Sequence, residues 1–120
     1  MRALFDTNIL IDYLNGVDDA KTELARYERP AISVISSIEV LAGPKPDLEA
    51  ETRKFLAIFE RIELSEAIAD RAVALRRSLK MRVPDAIILA TARVENLVLV
   101  TRNSKDFPAD QPGIRLPYRI

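Results

Sequence analysis

A helix with no polar face has to be buried, and one that runs straight into a β-rich segment is buried against a sheet. Residues 84–101 read that way. Pro84 and Asp85 open a helix that is apolar nearly all round through Ala86-Ile87-Ile88-Leu89-Ala90-Thr91-Ala92, Asn96 ends it, and Leu97-Val98-Leu99-Val100-Thr101 follows as a strand. The rest of the chain repeats the alternation. Ala3-Leu4-Phe5 is a short apolar run of strand length, and Ile9, Leu10, Tyr13 and Leu14 then recur at helical spacing until Asn15-Gly16 stops them.

A mixed helix is expected over 19–27, with Ala20, Leu24 and Tyr27 on one side and Pro30 as its break. Ala31-Ile32-Ser33-Val34-Ile35 predicts a second strand, and Ser36 to Ala42 a short helix closed by Gly43 and Pro44. Leu48, Phe55, Leu56 and Phe59 fit one helical stripe, Ile62-Glu63-Leu64 a brief strand, and Ser65-Glu66 the start of a helix that turns Ile68, Ala72, Leu75 and Leu79 inward. Ile114-Arg115-Leu116 predicts an edge strand. Strands alternating with helices argue for a single domain over 1–120, an α/β/α sandwich on a mainly parallel sheet.

Composition narrows the chemistry. The chain has 120 residues with 48% hydrophobic and 30% charged, the profile of a compact globular domain. No apolar run approaches the ~20 residues that span a bilayer, and Asp6 interrupts the first run before it could serve as a leader, so a cytoplasmic protein is expected. Cysteine and histidine are both absent. Thiol nucleophiles, Ser-His-Asp triads and thiolate or imidazole metal sites are therefore excluded. Carboxylates, hydroxyls and amides remain, and such oxygen donors suit hard divalent cations such as Mg²⁺ or Mn²⁺.

Right-handed crossovers line up the carboxyl ends of parallel strands along one edge, where ligands bind in open α/β sheets. Four polar sites fall there: Asp6 after the first strand, Glu39 in the helix after the second, Asp85 opening the buried helix, and Asn103 with Asp106 after the LVLV strand. Each has an ordinary explanation. Asp6 or Thr7 can cap a helix, Ser36-x-x-Glu39 matches a capping box, Asp85 suits a helix dipole, and Asn103 and Asp106 are common turn residues. Arg76, Arg77, Lys80 and Arg82 bunch ahead of Asp85, the first two as a solvated helix face, while Lys80 and Arg82 stay open as phosphate contacts. The net charge of zero decides nothing about partners.

Taken together, Asp6-Thr7-Asn8, Ser36-x-Ile38-Glu39-x-x-x-Gly43, Pro84-Asp85-Ala86-Ile87-Ile88-x-Ala90-Thr91-Ala92 and Thr101-Arg102-Asn103-x-x-Asp106-Phe107 resemble a PIN-domain protein, and within that family the small VapC-type toxins of toxin–antitoxin pairs. The resemblance covers essentially the whole chain. It implies a metal-dependent endoribonuclease in which Asp6, Glu39, Asp85 and Asp106 hold Mg²⁺ or Mn²⁺. Asn103 would be a weaker donor or a substrate contact, Thr7 and Thr101 pocket hydroxyls, Asn8 a support of the loop, and Arg82 and Arg102 phosphate contacts. It further implies an RNA substrate, a homodimer, and a VapB-type antitoxin whose C-terminal segment crosses the acidic pocket. Ile11, Tyr13, Leu14 and the helix over 48–59 are surfaces that could receive it. Two alternatives belong to other classes: a phosphoryl-accepting regulatory domain, which also gathers acids at a sheet edge, and a PIN-like binding module with a degenerate site, for which Asn103 is the hint.

Overall fold

The computed structural model describes residues 2–43, 46–107 and 110–119. Their five strands form one parallel sheet in the order β3-β2-β1-β4-β5. The strands are β1 (Ala3–Phe5), β2 (Ala31–Ser33), β3 (Glu60–Ile62), β4 (Val98–Val100) and β5 (Ile114–Arg115). The helices are α1 (Thr7–Leu14), α2 (Asp18–Leu24), α3 (Val34–Leu41), α4 (Glu49–Leu56), α5 (Glu66–Leu79) and α6 (Val83–Val94), with a 3₁₀ turn at Pro46–Leu48. Pro44, half of the stop expected after α3, lies outside the described residues.

Two apolar layers sandwich the sheet, sorted by the two-residue period of its strands. Leu4, Ala31 and Leu99 face Ile68, Ala72 and Leu75 of α5 and Ala86, Ile88, Leu89 and Ala92 of α6. Ala3, Phe5, Ile32 and Val100 face Ile9 and Leu10 of α1, Ala20 of α2, and Phe55, Leu56 and Phe59. Phe5 meets Tyr27 and Phe59 edge-on at 5.5 and 6.1 Å, and Tyr13 stacks on Phe55 at 4.6 Å. The three-layer α/β/α sandwich is as expected, and no helix among the described residues is long and apolar enough to cross a membrane.

Several boundaries differ from expectation. β2 ends at Ser33 because its hydroxyl caps α3, accepting from the Ile35 amide at 3.1 Å. Val34 and Ile35 are therefore helical, and Ser36 is a buried residue inside α3. That removes the capping box expected of Ser36 and Glu39. The helix expected over 19–27 is shorter, since Ala25 to Tyr27 turn out of α2. β3 is Glu60–Ile62, two residues before the expected Ile62-Glu63-Leu64, drawn there by pairing with β2. Leu48 sits in the 3₁₀ turn and is exposed, so it does not belong to the buried stripe of Phe55, Leu56 and Phe59.

Candidate functional site

β1 is the first strand in sequence and the middle strand in space. The chain steps from it to β2 and β3 on one side, then returns to β4 and β5 on the other. Strand order reverses between β1 and β4, and a crevice opens at such a switch point beyond the carboxyl ends of the strands. Asp6 follows β1 and Thr101 follows β4, at the carboxyl ends of these two neighbouring strands.

Asp6 is the best-anchored acid. It is 4% exposed and caps α1, with its Oδ1 accepting from the Thr7 amide at 2.8 Å. Its Oδ2 accepts from the Thr101 hydroxyl at 2.8 Å and from Asn8 Nδ2 at 3.1 Å. Capping therefore falls to Asp6 itself and not to Thr7 or Asn8. One carboxylate fills both roles, because it offers about four lone-pair sites and these bonds use three. Thr101, fully buried, also accepts from Asn8 Nδ2 at 3.3 Å and from the Asn103 amide at 3.0 Å.

The other acids arrive from separate segments. Glu39, on the exposed face of α3, accepts a 2.7 Å hydrogen bond from the Thr7 hydroxyl. That hydroxyl has one proton, so at the 3.0 Å contact with Ser36 it is Ser36 that donates. Asp85 is buried in the first turn of α6, with Arg82 Nε at 3.2 Å. Asp106 forms a reciprocal turn with Asn103, whose Nδ2 donates to its carboxylate at 2.8 Å and whose Oδ1 accepts from its amide at 3.1 Å.

Like charge shows in the protonation of these groups. The Asp6 carboxyl is pushed up to about 6, first by burial and then by the charges of Asp85 and Glu39, against the opposing bonds from Thr101 and Thr7. Burial, helped by Asp106 and Glu39, also raises Asp85, although Arg82 pulls it back. Asp6 and Asp85 thus each feel Glu39, and Asp85 feels Asp106. Arg82 faces the same cluster, held charged by Asp85, Asp106 and Glu39, with 74% of its side chain exposed.

A sequence model of the PIN domain matches residues 3–109. The chain belongs to the PIN-domain family. It is similar to Ribonuclease VapC10 of Mycobacterium tuberculosis, with 36% identity over 113 residues, covering 88% of this chain and 85% of the relative. A toxin–antitoxin complex from Klebsiella pneumoniae superposes with a TM-score of 0.94 at 50% identity, covering 98% of this chain and 99% of that one. VapBC2 from Rickettsia felis, bound to a DNA fragment from its promoter, superposes with a TM-score of 0.76 at 26% identity, covering 95% and 96%.

The donors of this PIN domain are all oxygen, and repulsion among the acids is relieved by a cation, so their chemistry fits a hard divalent ion. Among the described residues no three acids already stand as a cage for one ion. The local bonds explain this: Thr7 draws Glu39 aside, Arg82 holds Asp85 and Asn103 holds Asp106. Arg102, expected as a phosphate contact, instead turns its guanidinium onto Asp12. Lys80 is the left-handed C-cap of α5 (φ 56°). Two residues bonded to the surroundings of these acids, Ser36 to Thr7 and Asp12 to Arg102, carry weak signals in the sequence. Ser36 was hidden by its resemblance to a cap. Asp12 was signalled only by being an acid among the apolar positions of α1.

Proposed function

We propose that this chain is a Mg²⁺- or Mn²⁺-dependent endoribonuclease, the toxin of a toxin–antitoxin pair. The reading is supported by four acids from separated segments that sense one another's charge pairwise, Asp6 with Asp85 and Glu39 and Asp85 with Glu39 and Asp106, around a buried carboxylate whose proton affinity is raised. The similarity to Ribonuclease VapC10 and to the toxin–antitoxin complex from Klebsiella pneumoniae supports it.

Asp6, Glu39, Asp85 and Asp106 are the residues that would hold the ion. A divalent cation bound there supplies a water nucleophile near neutral pH and offsets the charge of the scissile phosphodiester. The chain's own groups set the geometry. Thr7, Asn8 and Thr101 fix both oxygens of Asp6, and Asn103 presents Asp106. Asp106, the charged member of this pair, would take the fourth acidic place. Glu39, exposed on α3, can rotate off Thr7 toward the crevice. Arg82, tied to Asp85 through Nε alone, keeps its terminal nitrogens for a substrate phosphate.

A groove of about 380 Å³ runs from Glu39 past Ile11, Leu14, Leu41 and Leu48. Three of its apolar side chains, Ile11, Leu14 and Leu48, are exposed. We assign this groove to the C-terminal segment of a VapB-type antitoxin, and a homodimer as the assembly that carries two such grooves. Tyr13, by contrast, is taken up by its own Phe55.

The test is cleavage of total RNA by purified protein with Mn²⁺ or Mg²⁺, with sequencing of the new ends. Cleavage that EDTA stops and Asp6→Asn abolishes is the expected result. Intact RNA with both ions, or an Asp6→Asn protein as active as wild type, overturns the proposal.

A further inference from the structure

Asp12 is a second buried carboxylate on α1, 4% exposed, and it stands outside the acidic crevice. Burying a charge is costly unless it is paired and its remaining lone pairs are filled. Here both conditions are met. The guanidinium of Arg102 grips both Asp12 oxygens, its Nη2 lying 3.1 Å from Oδ1, and Tyr118 Oη donates to Oδ2 at 2.8 Å. Arg102 lies between Thr101, which donates to Asp6, and Asn103, which holds Asp106. Its backbone amide also donates to Asn8 Oδ1 at 3.3 Å. The turn after β4 is therefore tied to α1 at two points, Asn8 and Asp12, which are one helical turn apart on one face.

We propose that Asp12, Arg102 and Tyr118 are positioning residues for the acidic crevice, setting where Asp106 stands relative to Asp6. The proposal rests on the nuclease reading above. Asp6 is fixed from α1, whereas Asp106 rides on the turn after β4, which Asn103 holds to Thr101 and the buried Phe107 joins to the core. A side-chain tether to α1 sets the turn's direction, since the Asn8 bond to the Arg102 amide is a single contact. The Asp12–Arg102 pair supplies the tether, and Tyr118 closes it from the segment after β5. An arginine held at two points with in-plane geometry fixes direction as well as distance. Displacements of about 1 Å in such a constellation cost on the order of 10²-fold in rate, so the pair acts on the reaction without touching substrate.

A pair that served only to stabilise the fold would change melting and nothing else, so the experiment separates the two. Removing one partner would strand a buried charge, whereas replacing both with apolar residues of similar size leaves none. The variants are therefore Asp12→Leu/Arg102→Met, with Tyr118→Phe as the milder case. Full-length protein is titrated with Mn²⁺ by calorimetry, and RNA cleavage is resolved into kcat and KM. The expected result is a cooperatively folded double variant whose Mn²⁺ affinity and kcat each fall ~10- to 100-fold with KM for RNA unchanged, as when the supports of metal ligands are removed. Tyr118→Phe is expected to lower Mn²⁺ affinity several-fold and is read by itself should the double variant fail to fold. Wild-type affinity and kcat in Tyr118→Phe and in any folded double variant overturn the positioning role while leaving the nuclease reading standing. A wild-type protein that takes up neither Mn²⁺ nor Mg²⁺ and leaves RNA intact overturns both.

Discussion

At the scale of single residues, Asp6 dominates. Its carboxyl is raised to about 6 in the fold, against an ordinary value of 3.8, so the folded chain holds that proton longer than the unfolded one. This contribution to stability is complete below pH 3.8 and is lost as pH climbs through about 6. Metal-free wild type should therefore lose on the order of 2–3 kcal/mol relative to Asp6→Asn between pH 4 and pH 7, measured by urea denaturation in EDTA. Comparison with the Asn variant matters because Glu23, lowered through its bonds to Arg115 and Tyr27 although its burial works the other way, contributes the opposite slope. Thr101→Val leaves the Asn103 amide and Asn8 Nδ2 without their shared acceptor. It should cost about 1–3 kcal/mol and move the Asp6 transition to still higher pH in the same denaturation series. Asp6 after β1, Asp85 in the first turn of α6 and Asp106 after β4 stand where the sequence put them, whereas Glu39 lies deeper in α3 than expected because the helix starts at Val34. Which serine would cap α3 was not legible. Ser33, Ser36 and Ser37 are equivalent as local signals, and only pairing of Ala31–Ser33 with β1 and β3 decides between them.

At the scale of elements, α6 carries the sheet's buried face, with Ile88 and Leu89 each 1% exposed. Leu89→Ala should destabilise by roughly 2–5 kcal/mol through the cavity it leaves, read as a lower urea midpoint at unchanged m-value. The Mn²⁺ affinity of the protein that remains folded should stay at wild type, because the altered side chain faces the core. Long or strongly patterned elements were readable in advance: α5, α6 and β4 lie where their apolar periods put them. Short edge elements were not. β3 has two exposed residues and one half-buried one, so no alternation marks it, and its place is set by the partner strand. The end of α2 was missed for a related reason. Tyr27 keeps its contact with Phe5 after the backbone has left the helix, so the apolar spacing outlasts the helical geometry.

At the scale of the whole molecule, the proposed site gathers like charge that a bound cation would relieve. Mn²⁺ at 100 times its dissociation constant should stabilise wild type by about 2.7 kcal/mol, seen as a higher melting temperature in a thermal scan, and Asp6→Asn should show no such rise. What the sequence could not convey at this scale is strand order. Local pattern places strands along the chain, but the insertion of β4 beside β1 is a property of the packed sheet. That order also has a temporal side. The central strand β1 is made well before its neighbour β4, so Asp6 is synthesised long before the Thr101 hydroxyl and Asp106 exist to join it. At about 5–20 residues per second, synthesis of the intervening chain lasts on the order of 5–20 seconds. Throughout that interval the nascent polypeptide carries isolated acids and no assembled crevice, so the proposed nuclease activity waits until β4 and the turn that carries Asp106 have been made.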